Sequence, residues 1–573
     1  MDFTARTLTN RQQLRYFAAG ICGLMAIFII THWLRVVFNK LSTPSKNPVR
    51  SASRLVRNVL VRKFPGFPSS GHALVVATYV AINFAVTFTN VNISVGGIAN
   101  RCGWMLIANF CIVVFLALKN TPLAVLSAYS YERLNGLHQI AGYTTFLFLV
   151  LHGSMYANYF MTHGETAIFQ RDSVKAGIVA GFAFLGVTVS GAIIRPFWYE
   201  AFFVIHVTCF LIALIGAAFH QPDLVVNGLL IMLAIIAAIW GADRLVRGSR
   251  LLYYSFNNYA VLEPLPNGGT RVVLTKKPHA AVPGKHCFVW IPAIRTFESH
   301  PFTIAATEPM EFVVNAYDGF TRDLHKRAVA NPGVRLRVSV DGPYGTFPDP
   351  MAFDKVVLIA GGSGATFAFG LATNMLERMG PEAKKNIVLI WAVKKHDSLS
   401  WFADHLQTLK THSHSPKVTT SLYVTTASST NAPSVDVSDA EDDRRALAAH
   451  EDGAVTAEKE TLGHSITNHT SSSSSDPEKT GATTTTSSSS NKGARTSTST
   501  DATGYSHGHP VLPGRPDTAT LIREAVSSTP ATGRVLVAAC GPAGLMRTVR
   551  DVTASLIRGD GPGVELHCEQ FGW

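Results

Sequence analysis

Four histidines in two apolar stretches repeat one spacing. Residues 138–152 read HQIAGYTTFLFLVLH and residues 206–220 read HVTCFLIALIGAAFH, so each stretch begins and ends with an imidazole. On an α-helix, fourteen residues return to within about 40° of the starting face and rise about 21 Å. Each stretch is therefore predicted to form a helix that presents two imidazoles on one face, one near each end.

Two such helices side by side would form two stacked pairs of histidines. Neutral imidazoles that face each other suit bis-axial ligation of haem iron, and iron with both axial positions filled is suited to electron transfer rather than to binding oxygen. The alternative is a packed or water-facing histidine, as we expect of His32. Ionisable groups within a membrane are costly and usually functional. We therefore predict one haem between His138 and His206 and a second between His152 and His220.

The elements that must hold these histidines are membrane helices. Hydrophobic residues make up 47% of the 573 residues and charged residues 15%, and the apolar residues are concentrated before about residue 245. This half contains seven apolar stretches of roughly 17–23 residues, which is long enough for a bilayer core of about 30 Å. The predicted spans are 16–38, 72–90, 103–119, 136–157, 174–194, 199–220 and 224–243.

A basic stretch between the first two spans predicts the orientation in the membrane. Residues 40–63 contain seven Lys or Arg and no acidic residue, which is typical of a cytoplasmic loop. With seven spans, the N-terminus is then outside and the chain after Arg244 is cytoplasmic. The sequon at Asn92 falls in an outer loop and is predicted to be glycosylated, whereas the sequon at Asn468 falls in the cytoplasm.

Charge and cysteine content exclude two classes of function. The formal net charge is +12, but no interleaved aromatics or nucleic-acid-binding motif accompany it, so we expect no nucleic-acid partner. The seven cysteines contain no CxxC pair, so we expect neither a metal finger nor a disulfide framework.

After residue 250 the pattern changes to that of two soluble domains. Short β-rich runs such as RVVLTKKP and EFVVNAY, separated by Gly, Pro and Asn, predict a small β-barrel over 251–350. Strand, glycine turn and helix then alternate, which predicts an α/β domain over 351–573. Residues 426–510 are rich in Ser and Thr, with no aromatic residue until Tyr505, and are predicted to be a disordered insert. The fold prediction is thus a helical transmembrane bundle with two haems over 1–250, followed by these two domains.

Four motifs in the second half point to nucleotide chemistry. They are ESHPFTIA, DGFTRDL, LIAGGSGATF and AACGPAGLM, in this order along the chain. The last two lie at predicted strand-to-helix turns, where glycines let a diphosphate approach the backbone N–H groups of a helix N-terminus. One glycine turn is weak evidence, but the ordered set is far more specific.

With these motifs the chain resembles the fungal ferric reductases of the NADPH oxidase superfamily. The resemblance covers nearly the whole chain except the first span and the polar insert. It is carried by YERLNGLHQIAG, the two histidine-spaced spans, YEAFFVIH, HPFTIA, GPYGTF, GGSGATF, CGPAGL and the terminal FGW. The resemblance implies that FAD and two b-type haems are cofactors and that NADPH is the electron-donating substrate.

The resemblance also implies roles for single residues. The flavin of FAD would be held by His300, Pro301, Phe302 and Thr303, with Phe302 on the ring and Thr303 near its reactive nitrogen. Gly319 and Thr321 would meet the FAD diphosphate. NADPH would bind at Gly361, Gly362, Gly364, Cys540, Gly541 and Pro542.

Three further residues follow from the same resemblance. Cys540 and Trp573 would belong to the catalytic site, where Trp573 would cover the flavin until nicotinamide displaces it; a disordered tail is the alternative. Lys394, beside Lys395, would pair with the 2′-phosphate that distinguishes NADPH from NADH. The alternative for this pair is two solvated lysines.

The implied function is an NADPH-dependent ferric-chelate reductase for metal uptake. Electrons would pass from cytosolic NADPH through FAD and the haems to external ferric or cupric chelates or siderophores. The expected location is the plasma membrane, or else the vacuolar membrane. The expected partners are the membrane lipid and an iron permease system in the same membrane. A superoxide-producing NADPH oxidase is the nearest alternative. A transporter or receptor with a degenerate enzyme domain is a third, which haem and flavin absorption would exclude.

Overall fold

The structure is a computed structural model, and it describes residues 3–41, 48–62, 64–220, 228–426, 504–558 and 561–569. The predictions for Trp573, for Asn468 and for residues 427–503 of the polar insert lie outside these residues. The described chain forms a helical half followed by two domains that contain β-sheets.

Among the described residues, seven helices are long and apolar enough to cross a membrane, which agrees with the seven predicted stretches. They are α1 (Phe3–Leu41), α3 (Ser70–Phe88), α4 (Val95–Leu116), α6 (Tyr131–Thr162), α7 (Asp172–Val189), α8 (Tyr199–Phe219) and α9 (Gly228–Ser255). A π-helical turn, Ser190–Ile194, continues α7. Two shorter helices, α2 (Pro48–Val61) and α5 (Pro122–Ser127), lie in loops between spans.

Helix α4 is at the centre of the bundle. In its most apolar window 56% of the residues are buried, against 11–28% in the other six spans, so the remaining helices surround it and expose apolar side chains outward. Lipid gives helices no hydrophobic reason to associate, so membrane helices associate through close packing, which small residues allow. One example is Gly216 of α8, where a Cβ atom would come within 3.0 Å of the Cβ of Ala180 on α7.

The second domain, predicted as a small barrel, consists of two antiparallel sheets around one core. The five-stranded sheet has the spatial order β5 (Ala306–Thr307), β6 (Met310–Asn315), β2 (Gly269–Leu274), β1 (Tyr259–Pro264) and β7 (Val334–Arg337). The three-stranded sheet has the order β4 (His300–Thr303), β3 (His286–Trp290) and β8 (Ser339–Tyr344). Helix α10 (Gly319–Ala330) packs its buried Phe320 and Leu324 into the same core.

This domain is attached directly to the end of the bundle. Helix α9 ends at Ser255 and β1 begins at Tyr259. Arg247 and Arg250 of α9 also form ion pairs with the fully buried Asp341 of β8, at 2.7 and 3.3 Å. A buried carboxylate that lost both partners would be costly, so these pairs hold the sheet against the last span.

The third domain is built on a seven-stranded sheet. Its order is β12 (Tyr505–Ser506), β13 (His509–Pro513), β11 (Val418–Val424), β10 (Asn386–Val393), β9 (Lys355–Gly361), β14 (Arg534–Cys540) and β15 (Gly563–Glu569), parallel from β13 to β15. Its helices are α11 (Ala365–Arg378), α12 (Ala403–Thr411), α13 (Thr518–Ser527) and α14 (Ala543–Leu556). The strands are buried apolar runs, as expected when helices cover both faces of a sheet.

The predicted C-terminal bound of the polar insert, residue 510, is wrong. Residues 505–513 form the hairpin of β12 and β13, and β13 pairs in parallel with β11, with Leu422 opposite Val511. The strand is short and contains two prolines, so its pattern gave little sign of it. Backbone hydrogen bonds to an existing sheet edge and the packing of Val511 against the core stabilise it.

Candidate cofactor and nucleotide sites

The structure brings the four histidines together as two pairs. The ring centroids of His138 and His206 are 6.4 Å apart, and those of His152 and His220 are 6.2 Å apart. His138 and His152 lie on α6, His206 lies on α8, and His220 is the residue that follows α8. The two pairs are fourteen residues apart along each helix, or about 21 Å.

All four rings point the same nitrogen away from the pair. Each Nδ1 lies 2.7–3.1 Å from a backbone carbonyl oxygen of a neighbouring helix. The partners are Val113 for His138, Ala99 for His152, Val187 for His206 and Ser173 for His220. A carbonyl can only accept, so Nδ1 carries the hydrogen and Nε2 keeps the lone pair that a metal needs.

These pairs fit an iron held by a macrocycle. A first-row metal about 2 Å from one nitrogen of each ring would hold two imidazole centroids about 6.3 Å apart, close to both observed separations. Within the described part of the chain, no group of three or more His, Cys, Asp or Glu side chains is arranged to hold a metal ion. Two imidazoles are thus what the protein offers at each pair, and haem would supply the four remaining ligands.

Two glycines, which the sequence reasoning missed, allow the pair of His152 and His220, the outer pair under the predicted topology, to sit where it does. A Cβ atom at Gly103 would lie 2.7 Å from Nδ1 of His152, and one at Gly177 would lie 2.3 Å from Nδ1 of His220. Each glycine is four residues after the carbonyl that accepts from the same ring. Helical side chains lean toward the N-terminus and cover the preceding turn, so a glycine at this position uncovers the carbonyl. The signal in the sequence was weak because the contact joins different helices.

The predicted FAD residues gather around Phe320. His300, Pro301, Phe302 and Thr303 are the four residues of β4, the outer strand of its sheet, and all are half-buried. The rings of His300 and Phe302 stack on Phe320, with centroids 4.6 and 6.0 Å apart. This edge offers the flat apolar surface that a flavin ring requires.

The predicted diphosphate residues lie at the N-terminus of α10. Gly319 has φ of +55°, which favours glycine. The Thr321 hydroxyl donates to the Asp318 carbonyl at 3.2 Å and accepts from the Tyr317 N–H at 3.0 Å. Thr321 therefore shapes the turn with its side chain, and the first helical turn presents N–H groups that have no acceptor within the helix, as an anion site requires.

Both helices that carry histidines meet this domain six residues before their first histidine. On α6, Glu132 lies 3.0 Å from Nε2 of the buried His286, which also hydrogen-bonds the Tyr131 hydroxyl at 2.9 Å. On α8, a Cβ atom at Gly319 would lie 3.7 Å from Glu200. The pair of His138 and His206, which is the inner pair under the predicted topology, thus lies on two helices whose first turns adjoin this domain.

The C-terminal strand also contacts the start of α6. Nη2 of Arg133 donates to Nδ1 of His567 on β15 at 2.9 Å, and Nε2 of His567 donates to Glu569 at 2.6 Å. Three successive residues, Tyr131 to Arg133, therefore contact both later domains. These three residues begin the YERLNGLHQIAG motif, but the sequence alone does not identify their partners.

The predicted NADPH residues lie at the point where the sheet order reverses. From β9 the chain proceeds outward to β10 and β11, and it returns on the other side at β14. A crevice at the carboxyl ends of such strands is the general ligand site of open α/β sheets. A Cβ atom at Gly361 would lie 2.7 Å from Pro542, and one at Gly364 would lie 2.3 Å from the Cys540 carbonyl oxygen. The two turns therefore touch through their backbones.

Cys540 and Lys394 have different surroundings at this crevice. Burial raises the pKa of the Cys540 thiol well above its ordinary value, so the thiol is neutral and is not an activated nucleophile. Lys394 directly follows β10, at the same edge of the sheet as the glycine turns.

Three domain families match the chain in the order of its three parts. Residues 102–217 match a ferric reductase like transmembrane component, residues 263–347 an FAD-binding domain, and residues 353–554 a ferric reductase NAD binding domain. The first match contains three of the four paired histidines, His138, His152 and His206, and ends three residues before His220.

Several fungal proteins are similar to this chain. "Ferric reductase transmembrane component 3" of Saccharomyces cerevisiae is 28% identical over 330 residues, 55% of this chain and 45% of that protein. "Ferric/cupric reductase transmembrane component 2" of the same yeast is 27% identical over 323 residues, with the same coverage. "Probable cell surface ferric reductase kap2" of Aspergillus oryzae is 25% identical over 416 residues, 63% of this chain and 54% of that protein. The chain spans about half the length of these curated relatives, and the resemblance to the fungal ferric reductases is confirmed.

Proposed function

We propose that this relative of the fungal ferric reductases is an NADPH-dependent reductase that moves electrons across a membrane. The electrons would come from NADPH on the cytoplasmic side and pass through FAD and two b-type haems to ferric or cupric chelates outside. The observation that carries the proposal is that α6 and α8 hold two histidine pairs, one above the other along the helices. In each pair both Nδ1 atoms bond backbone carbonyls, which leaves both Nε2 atoms for a metal.

When bound, FAD and the haems supply the redox chemistry that amino acids lack, since a flavin accepts two electrons together and releases them singly. The residues of the chain bind and orient these groups. Glu132, at the start of α6, contacts His286 of this domain at 3.0 Å, and Glu200, at the start of α8, lies close to Gly319. The helices that lead to His138 and His206 therefore both begin beside the predicted flavin site.

The nucleotide would be held by the two glycine turns and selected by charge. The turns after β9 and β14 touch at Gly361 and Gly364, whereas Gly362 has open space where a Cβ atom would lie, so a diphosphate could approach the backbone there. Lys394 is our candidate for binding the 2′-phosphate of NADPH, because the compact positive charge of a lysine side chain can pair with a phosphate group. Cys540, neutral and buried, would exclude water beside the nicotinamide.

The membrane potential favours the proposed direction. The basic loop that contains α2 favours a cytoplasmic α/β domain, and we propose the plasma membrane as the location. Each electron that leaves a cell with an interior about 100 mV negative gains about 2.3 kcal/mol. The acceptors would be metal chelates that need not enter the cell.

A reductase assay on intact cells tests the proposal. Cells that express the chain should reduce a ferric chelate that cannot enter them, and His152→Ala should abolish this. The matched control is His32→Ala, which removes an intramembrane histidine outside both pairs. Equal activity in the His152 variant would contradict the proposed route.

Superoxide dismutase separates the reductase from the oxidase alternative. Ferric reduction should persist when dismutase is added, because both axial positions at each haem would be filled by histidine and oxygen would react slowly. If dismutase abolishes the reduction, superoxide is the product, and the chain is an NADPH oxidase.

A further inference from the structure

Helix α2 has two opposite faces, and among the described residues one face has partners while the other is exposed. It lies in the loop between the first two candidate spans, α1 and α3. Residues 48–62 contain four arginines and no acidic residue. A short helix of this composition between two spans must lie near a membrane surface.

One face of α2 is fastened to the α/β domain. Arg54 donates to the Gly561 carbonyl at 2.6 Å, and the Asn58 amide donates to the Ile557 carbonyl at 2.7 Å. Val61 packs against the apolar core formed by α13, α14 and their strands. These residues follow one another at intervals of four and three, so they share one helical face.

Arginine 57 extends the same attachment. It lies 3.9 Å from Glu565 of β15, and Arg35 at the end of α1 lies 3.2 Å from the same carboxyl group. The two ion pairs connect the first span and α2 to the last described strand. The nucleotide-binding domain is thus held at the loop after α1 as well as at α6.

The opposite face of α2 is apolar and exposed. Leu55 is 67% exposed, Val56 58% and Val59 55%. At about 100° per residue, the centre of this face lies about 160° from the face that contacts the α/β domain. A helix with a charged, partnered face and an apolar, uncovered face has the form of an interfacial membrane helix.

The apolar face of α2 is continuous with the surface of the second span. Ser70, the first residue of α3, donates its N–H to the Arg62 carbonyl at 2.7 Å, and Gly71 lies against Leu60. Leu74, one turn into α3, is 59% exposed on a helix that would face lipid. The end of α2 is therefore held at the membrane end of α3.

We propose that α2 lies in the headgroup region of the bilayer and clamps the nucleotide-binding domain to it. Leu55, Val56 and Val59 enter the boundary between headgroups and acyl chains, while Arg54, Arg57 and Asn58 hold the α/β domain on the other side. The leaflet concerned is the one that faces this domain. Anionic lipid is the favoured partner because the loop is basic and contains no acid.

Photocrosslinking in nanodiscs tests this occupant directly. The full-length protein, with Val56 replaced by p-benzoylphenylalanine, is placed in phosphatidylcholine nanodiscs with about 30% phosphatidylserine and irradiated. Val329 of α10, which is 56% exposed, is the matched control position. We expect lipid adducts at position 56 and few at position 329. Adducts to another part of this chain or to a second copy, or equal lipid labelling at both positions, would overturn the proposal.

A second experiment tests the clamp. In the variant with both Val56→Asp and Val59→Asp, α2 should leave the bilayer, and hydrogen exchange in residues 561–569 should become several-fold faster. Val329→Asp should leave that exchange unchanged, and haem content in all variants reports an intact bundle. Unchanged exchange in the double variant would show that α2 holds the domain without help from lipid.

Discussion

Gly103 of α4 lies directly against the imidazole of His152 on α6. A Cβ atom at residue 103 would come within 2.7 Å of Nδ1, the atom that bonds the Ala99 carbonyl. The same arrangement joins Gly177 to His220 and the Ser173 carbonyl. A glycine four residues after the accepting carbonyl is therefore part of how the outer imidazoles are oriented.

Alanine at either glycine should disturb the outer pair. In Gly103→Ala or Gly177→Ala the added methyl displaces the ring from its carbonyl, so we expect haem per protein to fall from about two to about one, with an altered visible spectrum. Gly96→Ala on α4 and Gly181→Ala on α7 are matched controls, because the nearest atoms there are 3.9 and 4.0 Å away. The controls should be neutral or stabilised by up to about 1 kcal/mol. Normal spectra in the test variants would refute this role.

The histidine pairs should be separable by mutation. His152→Ala or His220→Ala should remove the outer haem, and His138→Ala or His206→Ala the inner one, because each iron would lose one axial ligand. Haem content and redox titration of the purified variants measure this. Full haem content in any one variant would remove that residue from the ligand set.

The contact of His286 with α6 should contribute to the stability of the FAD-binding domain. His286→Ala would remove a hydrogen bond to the Glu132 carboxylate at 3.0 Å, at a cost of about 1.5–3 kcal/mol for a hydrogen bond to a charged group. Tyr131→Phe removes one hydrogen bond and should cost about 1 kcal/mol. The temperature of flavin release reports both effects.

His325→Ala is the matched control for that experiment. His325 hydrogen-bonds Thr270 within its own domain at 3.0 Å and has no contact with α6 in the described structure. If His286→Ala lowers the release temperature no more than His325→Ala does, the contact with Glu132 contributes nothing specific.

Cys540 should be unreactive in the folded protein. Burial raises its pKa, so the thiolate fraction stays small as the pH rises through the ordinary range of a thiol, about 8.5. Iodoacetamide at about pH 8 should label Cys540 only after unfolding, as mass spectrometry can determine. Rapid labelling of the native protein would indicate an activated thiolate.

The two sequons test the orientation in the membrane. Asn92 should carry a glycan, because its loop is predicted to be outside, and Asn468 should not, because its segment is predicted to be cytoplasmic. Glycosidase treatment of Asn92→Gln and Asn468→Gln variants distinguishes the sites. A glycan on Asn468 would reverse the proposed topology.

Local patterns determined much of this protein. The seven candidate spans follow from runs of apolar residues, because a bilayer selects for length and hydrophobicity alone. The pairing of His138 with His206 and of His152 with His220 follows from a spacing that returns to one helical face. The glycine turns after β9 and β14 are recognisable because a strand, a turn and a helix follow one another in the chain.

Only the tertiary structure determined what holds these parts in place. Gly103 meets His152 across two helices, and Arg54 meets Gly561 across 507 residues of chain. Neither contact leaves a periodic trace, since each is made by one residue on each side. The strand at 509–513 was missed for a related reason: it depends on pairing with the edge of β11 and on the packing of Val511 against a core built by other elements. Spacing along one element can be read from the sequence, but the choice of neighbour is made by packing.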